Sequence, residues 1–380
     1  MESDPSGSIA KHFANLEDPR MDRTKRHSLL DILVIAICAV ICGADNWEEV
    51  QLFGEAKENW FKSFLELPNG IPSHDTFWRV FARLDPQQFQ ESFVSWIRSV
   101  ADVTQGQVIA IDGKTLRRSQ DRALGRGAID MVSAWAAENQ LVLGQVKVDD
   151  KSNEITAIPE LLRVLEVSGC IITIDALGCQ KEIAAAIVDQ EADYVLALKE
   201  NHGRLYEDLV KLFEDLQASD FQAYPYSQAQ TVSKSHGRLE TRTCWVIAEQ
   251  PILMHLRDAP EWPGLQAVVK VHTRRQVGEE VSEKDRYFIA SLAAPAAKML
   301  GVVRSHWSIE NELHWVLDIA FREDESRIRK DHGPQNFAVL RHIALNLVKQ
   351  EKTQKASIKG KRLKAGWDED YLLKILSGLF

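Results

Sequence analysis

The chain has 380 residues, with 46 Lys and Arg against 55 Asp and Glu and a formal net charge of -9. Hydrophobic residues make up 45% of the chain and charged residues 27%, which excludes disordered and collagen-like proteins. The acidic balance excludes a uniformly basic nucleic-acid coat protein, but it is compatible with local basic patches. Five Cys residues without a CxxC pair fit reduced thiols better than a disulfide framework or a zinc ribbon.

The longest apolar run is ILVIAICAVIC at 32–42, and its 11 residues are too few for the ~20 that cross a bilayer. The first residues, MESDPSGS, lack the cationic start of a signal peptide. We therefore expect a cytoplasmic protein with no membrane contact.

Residues 1–104 have the periodicity of helices, and we assign them to a helical amino-terminal domain. A turn at 68–72 separates two predicted helices, and the second begins with Ser73, His74, Asp75, Thr76 and Arg79. This arrangement is typical of a helix-turn-helix, which makes binding to DNA ends a candidate role. Packing between ordinary helices is the alternative explanation.

From Gly106 onward, short β-branched runs replace the helical periodicity. Strands are predicted at 107–112, 128–137, 141–148, 171–175 and 194–198, with helices near 155–167 and 181–189. Three strands followed by alternating helix and strand predict an α/β fold with a mixed sheet covered by helices. Residues 230–292 again have strand patterns that interrupt this core, and a long helix is expected from Pro295 to Phe321.

Two acids, Asp112 and Asp175, each end a strand-like run and precede a loop. The carboxyl ends of strands form the usual ligand crevice of an α/β sheet, so both acids are expected to converge there. Capping of a local turn explains either acid alone. One face of the long helix carries four polar residues spaced four apart, of which the second is the best candidate to reach the crevice: His306, Glu310, His314 and Asp318.

Three clustered carboxylates repel one another unless cations neutralise them. Hard oxygen ligands select Mg²⁺ or Mn²⁺, and two such ions about 4 Å apart stabilise phosphodiester exchange. The cluster therefore predicts phosphoryl transfer. A zinc site on His306 and His314 is the competing interpretation, but these residues lack the HExxH spacing, and packing of both imidazoles explains them better.

Several segments in combination resemble a known family: IAIDGKTLRRS, TIDALGCQKEIA, YVLALKENH, SHGRLETR and RSHWSIENELHWVLDIAFREDESRIRK. They are similar to bacterial insertion-sequence transposases of the DDE class, and in particular to the H-repeat-associated transposase family. Three earlier segments resemble the helical leader domain of that family: HFANLEDPR, RHSLLDILVIAICAVICGADNW and IPSHDTFWRVFARLDP. The resemblance covers nearly the whole chain.

The resemblance implies an RNase H-like catalytic core in which Asp112, Asp175 and Glu310 are catalytic and bind metal. Mg²⁺ is the implied cofactor, with Mn²⁺ as a substitute. We accordingly divide the chain into a helical domain, a first core part, a β-rich insertion, a second core part with the Glu-bearing helix, and a basic tail with a short helix: 1–104, 105–202, 203–294, 295–350 and 351–380.

Related transposases often carry a Tyr-Arg-Glu-Lys pattern around the glutamate, and this sequence departs from it. Val303 and His306 stand where the Tyr and Arg would fall, and Leu317 stands where the Lys would fall. The auxiliary roles therefore do not carry over. The candidates to replace them are Arg304, Asn311, His314 and Asp318.

Basic residues beside the acids are expected to neutralise DNA phosphates. The group after the first acid contains Lys114, Arg117, Arg118, Arg122 and Arg126. The group after the Glu-bearing helix contains Arg322, Arg327, Arg329 and Lys330, and Arg304 within that helix is a further DNA-binding candidate. Weaker candidates are Lys199, Asn201, His236, Arg238 and Arg242. Solvated charged loops are the alternative explanation for these groups. The Lys-rich tail fits two interpretations equally well: a segment that follows the DNA backbone nonspecifically, or a flexible linker.

Two Trp residues of the insertion, Trp245 and Trp262, are candidates for stacking on an unpaired base, although such residues more often lie in the core. The resemblance implies a transposase that cuts element ends and joins them to target double-stranded DNA in a Mg²⁺-dependent reaction. Because two ends must be brought together, we expect a homodimer on DNA. A domesticated DNA-binding protein and a host nuclease of the RNase H-like superfamily are the alternatives.

Overall fold

The computed structural model describes residues 11–101, 105–120, 127–149, 153–235 and 237–377. Three of the predicted DNA-contacting residues, Arg122, Arg126 and His236, lie outside these ranges.

The amino-terminal part is helical, as predicted, with α1 (Leu29–Cys42), α2 (Trp47–Ala56), α3 (Glu58–Phe61), α4 (His74–Arg83) and α5 (Pro86–Val100). The side chains of Ser28, Asn46 and Asp85 accept backbone N–H groups at the starts of α1, α2 and α5. Gly43 ends α1 with a φ of 116°, in the left-handed region that favours glycine. Local capping signals therefore fix these helices, and whether α4 binds DNA stays a prediction.

The central strands are β1 (Val108–Leu116), β2 (Ile129–Ala136), β3 (Leu141–Lys147), β4 (Ile171–Ile174) and β5 (Asp193–Leu198). β1 to β3 form an antiparallel meander, and β4 and β5 run parallel to β1. Helix α6 (Glu154–Val164) connects β3 to β4, and α7 (Lys181–Val188) connects β4 to β5. This mixed sheet flanked by helices is the predicted RNase H-like fold.

The β-rich insertion follows α8 (Gly203–Ala218) and contains β6 (Ser227–Ser235), β7 (Arg238–Ile247), α9 (Gln250–Leu253), β8 (Ala267–Val277) and β9 (Glu280–Ala290). β9 pairs antiparallel with β5, so the insertion extends the central sheet. The complete strand order is β3-β2-β1-β4-β5-β9-β8-β7-β6. β5 ends at Leu198, which pairs with Tyr287, and residues of both strands near this end line a cavity.

The carboxyl-terminal part contains α10 (Ala296–Ser308), a π-helical turn (Ile309–His314), α11 (Trp315–Ala320), α12 (Gly333–Gln350), α13 (Ile358–Trp367) and α14 (Glu369–Leu376). Short 3₁₀ turns lie at Asp22–Thr24, Glu200–His202, Ala259–Glu261 and Glu323–Glu325. α12 packs against α1, and most residues of both helices are buried in a hydrophobic core that they share with the central sheet. The amino-terminal helices are thus part of the main body.

Among the described residues, each helix taken singly is too short or too polar to cross a membrane. α1 and α2 reach the necessary length and apolarity only as a pair bent by 96°.

The Lys-rich segment differs from the sequence interpretation at two positions, because Lys361 and Arg362 of α13 are buried. The ammonium of Lys361 donates to the carbonyl oxygens of Val348 and Glu351 at the end of α12. The guanidinium of Arg362 donates to the carbonyl oxygens of Val40, at 2.7 Å, and Ile41, at 3.3 Å, near the end of α1. Both cations therefore satisfy carbonyl groups at helix carboxyl termini, where positive charge is favourable.

Candidate active site

The parallel pairing of β1 with β4 brings the first two acids side by side. Ile111 pairs with Ile174 at the end of the shared ladder, and Asp112 and Asp175 are the next residue of each strand. Asp112 does not precede a loop, as the sequence suggested, because β1 continues to Leu116 along its other neighbour, β2. The carboxyl end of the parallel pair therefore presents both acids to one edge of the core.

The third acid comes from the helical segment that crosses this edge. The sequence predicts one continuous helix, whereas the structure interrupts it with the π-helical turn that carries both Glu310 and His314. Such local widening of a helix is frequent at functional sites because it redirects side chains. Here it places the imidazole of His314 between two carboxylates: its Nδ1 lies 3.7 Å from Oδ2 of Asp112 and 3.6 Å from Oε2 of Glu310.

Asp112, Glu310 and His314 form one close group, since each contributes a ligand atom within 4.8 Å of the other two. The side chains of Asp112 and His314 are largely buried, with 16% and 7% of their surface exposed, and Glu310 is half-exposed. Asp175 lies outside this group but lines the same cavity. Its Oδ1 accepts the backbone N–H groups of Leu177, at 3.0 Å, and Gly178, at 3.3 Å. Asp175 therefore caps a local turn and also lines the cavity.

The cavity has a volume of about 840 Å³ and extends from the acids to residues of β5 and β9. Its walls combine polar, charged and aromatic side chains, including Lys199, Asn201, Tyr206, Lys284, Arg286, Tyr287, His306 and Trp307. The guanidinium of Arg286 lies 5.1 Å from the ring centre of Trp307. Nδ1 of His306 is hydrogen-bonded to Oγ1 of Thr173 at 3.1 Å. A space of this size accommodates more than a pair of metal ions.

The carboxylates at the centre are electrostatically strained. Burial raises the pKa of Asp112 to about 8, and the adjacent Glu310 carboxylate contributes in the same direction. His314, followed by the hydrogen bond with Asp112, lowers the pKa of Glu310 to about 2. The two acids thus share a proton at neutral pH, because two neighbouring carboxylates resist full ionisation. A bound cation would remove this restriction.

Glu154, a residue that the sequence interpretation missed, lies against the backbone of Gly113. A Cβ atom at Gly113 would be 2.0 Å from Oε1 of Glu154, so this carboxylate would have to move to make room for alanine. Burial, and then the charge of Asp175, raise the pKa of Glu154. Its position next to Asp112 was not predictable because α6 carries no local signal that points to β1.

We expect Gly113→Ala to be destabilising only while Glu154 is present. In a Glu154→Ala background the same change should be neutral or stabilising by about 0.5–1 kcal/mol, since glycine in a strand costs about that much relative to alanine. Urea unfolding of the two single variants and the double variant measures this coupling. Equal effects of Gly113→Ala in both backgrounds would show that the contact is energetically irrelevant.

Lys114 has a different environment from the other predicted DNA contacts. Its side chain is only 12% exposed, and its ammonium pairs with the carboxylates of Asp318 and, at 2.7 Å, Glu323. Glu323 is buried and also lies 3.7 Å from the guanidinium of Arg341. Lys114 therefore ties the strand that carries Asp112 to the segment that follows Glu310.

The basic residues that follow Asp112 and those that follow Glu310 are joined by one contact between Arg118 and Arg329. Arg117 is 77% exposed and lies 3.3 Å from the carboxylate of Asp324. Nε of Arg329 donates to the carbonyl oxygen of Arg118 at 3.0 Å, which joins the two predicted groups. Arg118, Arg327, Arg329 and Lys330 are exposed. Lys199 is exposed at the rim of the cavity.

A second basic surface lies on the insertion. The register of β7, β8 and β9 places Arg242, Thr273 and Lys284 in one row of a sheet face, beside Arg286. Like charges from Arg304, Arg238 and Arg286 lower the pKa of Arg242 after burial, while Glu240 alone opposes them. Sequence reasoning found Arg238, Arg242 and Arg304 but missed Lys284 and Arg286, which only the strand register brings to the cavity. We call this set the insertion cluster: Arg238, Arg242, Lys284, Arg286 and Arg304.

Trp245 and Trp262 are buried, so the core explanation is correct for both, and stacking on an unpaired base is wrong for them. Trp245 stacks on Phe221 with 6.1 Å between ring centres.

Comparisons with known proteins agree with this geometry. A family model described as "Transposase DDE domain" matches residues 104–347, and one described as "DDE_Tnp_1-associated" matches residues 10–97. The chain belongs to the DDE transposase family.

Relatives of this DDE transposase match most of the chain. It is 40% identical over 376 residues to "H repeat-associated putative transposase YhhI" of Escherichia coli (strain K12), an alignment that covers 97% of this chain and 98% of the relative. It is 47% identical over 286 residues to "Uncharacterized protein in dhlA 3'region" of Xanthobacter autotrophicus, covering 74% of this chain and 94% of the relative. A piggyBac transposase synaptic complex with hairpin DNA aligns with a TM-score of 0.41 and 11% identity, covering 98% of this chain and 76% of that one.

The donor set of this transposase suits a divalent cation. Asp112 and Glu310 supply carboxylate oxygens, and the buried Nε2 of His314 has no hydrogen-bond partner among the described residues while Nδ1 faces those oxygens. Carboxylate oxygens suit Mg²⁺ and Mn²⁺. The residues therefore fit the metal use that the family implies.

Proposed function

We propose that this transposase cleaves DNA at the ends of its element and joins the freed ends to target DNA, using divalent ions held by Asp112, Asp175 and Glu310. The observation that carries the proposal is the convergence of Asp112 and Glu310 on one close group of ligand atoms, in a cavity that Asp175 also lines. The raised pKa of Asp112 supports it, because a nearby cation would favour the ionised form of such a carboxyl at neutral pH.

Mg²⁺, with Mn²⁺ as a substitute, supplies when bound the charge stabilisation of the attacking and leaving oxygens in phosphodiester exchange. Asp112 lies close to Glu310 and in register beside Asp175, whose orientation is fixed by the turn at Leu177 and Gly178. Cleavage by water frees a 3′ hydroxyl, which then attacks a target phosphodiester in line. Both reactions exchange one phosphodiester oxygen for another, so neither needs a nucleophile from the protein.

Two basic surfaces support a path for double-stranded DNA across this centre. The insertion cluster reaches the cavity through Lys284 and Arg286. The second surface consists of exposed residues in the segments around the end of β1 and after α11: Arg117, Arg118, Arg327, Arg329 and Lys330. Cations in such numbers neutralise phosphates and give salt-dependent affinity. Because two element ends must be joined, a homodimer on DNA is the proposed assembly.

The experiment is a cleavage and joining assay on a linear duplex that contains the DNA flanking this reading frame. With Mg²⁺ or Mn²⁺ we expect cuts at fixed positions and a joined product with supercoiled target DNA, both abolished by a chelator. Cleavage without joining in any target would contradict strand transfer and favour a host nuclease. Binding without cleavage in either ion would contradict the enzyme and favour a domesticated DNA-binding protein.

A further inference from the structure

The imidazole of His314 lies between two carboxylates of the candidate site. Its side chain is only 7% exposed, and Nδ1 faces both Asp112 and Glu310. We propose that Nδ1 of His314 is a direct ligand of the divalent ion that Asp112 and Glu310 hold, and that it makes this site select Mn²⁺ over Mg²⁺. This inference rests on the proposed function, whose metal site it refines.

The distances favour a shared ion over direct hydrogen bonds. Nδ1 lies 3.6 Å from Oε2 of Glu310 and 3.7 Å from Oδ2 of Asp112. Hydrogen bonds between nitrogen and oxygen span about 2.7–3.2 Å, so both separations are too long for good ones. Two ligands of one ion, each bound at about 2.1 Å, can be up to ~4.2 Å apart. Both separations fall within that limit.

The second nitrogen of the ring makes no competing contact. Nε2 of His314 is buried and has no hydrogen-bond partner among the described residues. The side-chain contacts of the ring nitrogens to carboxylates are therefore those of Nδ1 with Asp112 and Glu310.

The ligand type determines which ion is preferred. Mg²⁺ takes oxygen ligands in a strict octahedron and loses its water reluctantly, whereas first-row transition metals accept imidazole nitrogen readily. A set of two carboxylates and one imidazole should thus bind Mn²⁺ more tightly than Mg²⁺. A site made of carboxylates alone would discriminate less between Mn²⁺ and Mg²⁺.

Pulsed electron paramagnetic resonance of Mn²⁺ bound to the full chain tests the proposal directly. We expect modulation from a directly coordinated ¹⁴N nucleus in the wild-type protein, lost in His314→Gln and retained in His306→Gln. The His306 variant is a matched control because its imidazole lines the same cavity but is hydrogen-bonded to Thr173. The wild-type spectrum requires no variant to fold, so absence of nitrogen coupling in it would overturn the proposal.

Calorimetric titration of the same proteins with Mn²⁺ and with Mg²⁺ provides the second measurement. His314→Gln should weaken Mn²⁺ binding by at least about tenfold while changing Mg²⁺ binding much less. Unchanged or tighter Mn²⁺ binding in this variant would refute the ligand role and indicate an imidazolium that merely compensates the acids. Failure of the wild-type chain to bind either ion would contradict the proposed function itself. Equal binding of Mn²⁺ and Mg²⁺ by the wild-type chain would contradict only the selectivity proposed here.

Discussion

Asp112→Asn is expected to lower DNA cleavage by at least about a thousandfold, equivalent to ~4 kcal/mol of transition-state stabilisation. Asp112 stands next to Asp175 in register and in the close group with Glu310. The amide keeps the shape of the side chain but removes the charge that holds a cation. Cleavage rates of the wild type and the variant on the same duplex measure the effect, and DNA affinity should change little.

The same substitution should stabilise the metal-free protein, and more so at higher pH. The pKa of Asp112 is raised to about 8 by burial and by Glu310. Between pH ~4 and 8 the folded state therefore binds a proton that the unfolded state releases, and stability falls as the pH rises through this window. Asn does not titrate, so the gain in unfolding free energy should be larger at pH 8 than at pH 5.

Denaturant unfolding of both proteins at these two pH values, with a chelator present, measures that gain. A variant that cleaves DNA at near wild-type rates would contradict the catalytic role of Asp112. A variant that is less stable than the wild type at pH 8 would contradict the electrostatic explanation. The two results are independent, since the first needs metal and DNA and the second needs neither.

Arg362→Ala is expected to cost about 2–4 kcal/mol of unfolding free energy. The guanidinium donates to the carbonyl oxygens of Val40 and Ile41 and lies 3.9 Å from the ring centre of Phe321. Burial lowers its pKa to about 10, while Asp45 acts in the opposite direction. Its removal takes a donor from both carbonyl oxygens, although that of Val40 keeps the N–H of Gly43 at 3.3 Å, and it opens a cavity against Phe321. The lost hydrogen bonds and the lost packing each cost about 1–2 kcal/mol.

Lys359→Ala is the matched control because Lys359 lies on the same helix and is exposed. Its effect on stability should stay within about 0.5 kcal/mol. Thermal or urea unfolding of both variants gives the comparison. Equal, small effects would show that Arg362 belongs to a surface segment, as a flexible linker would require.

That the three acids line one cavity could be predicted, because the position of each depends on a local pattern. Asp112 and Asp175 follow β-branched runs that become neighbouring parallel strands, and Glu310 occupies a polar face of a long helix. The position of Asp112 inside β1 was not predictable, since it depends on how far β2 continues the pairing. The π-helical turn at Glu310 has no spacing signature in the sequence.

The charged residues show where sequence reasoning fails. Lys114 and Arg362 look like surface cations, yet their partners come from distant segments: Asp318 and Glu323 for the first, and the end of α1 for the second. Arg286 joins the insertion cluster only through the register of β8 and β9. The sign of a side chain's charge follows from the residue type, but its interaction partner depends on tertiary contacts.

The most direct test of the central claim is anomalous X-ray diffraction from crystals of the full chain bound to element-end DNA and soaked in Mn²⁺. We predict two manganese peaks about 4 Å apart beside Asp112, and we expect Asp175 and Glu310 to supply further ligands to these two ions. Saturating Mn²⁺ with no peak at Asp112, or with peaks only elsewhere on the protein, would contradict the account.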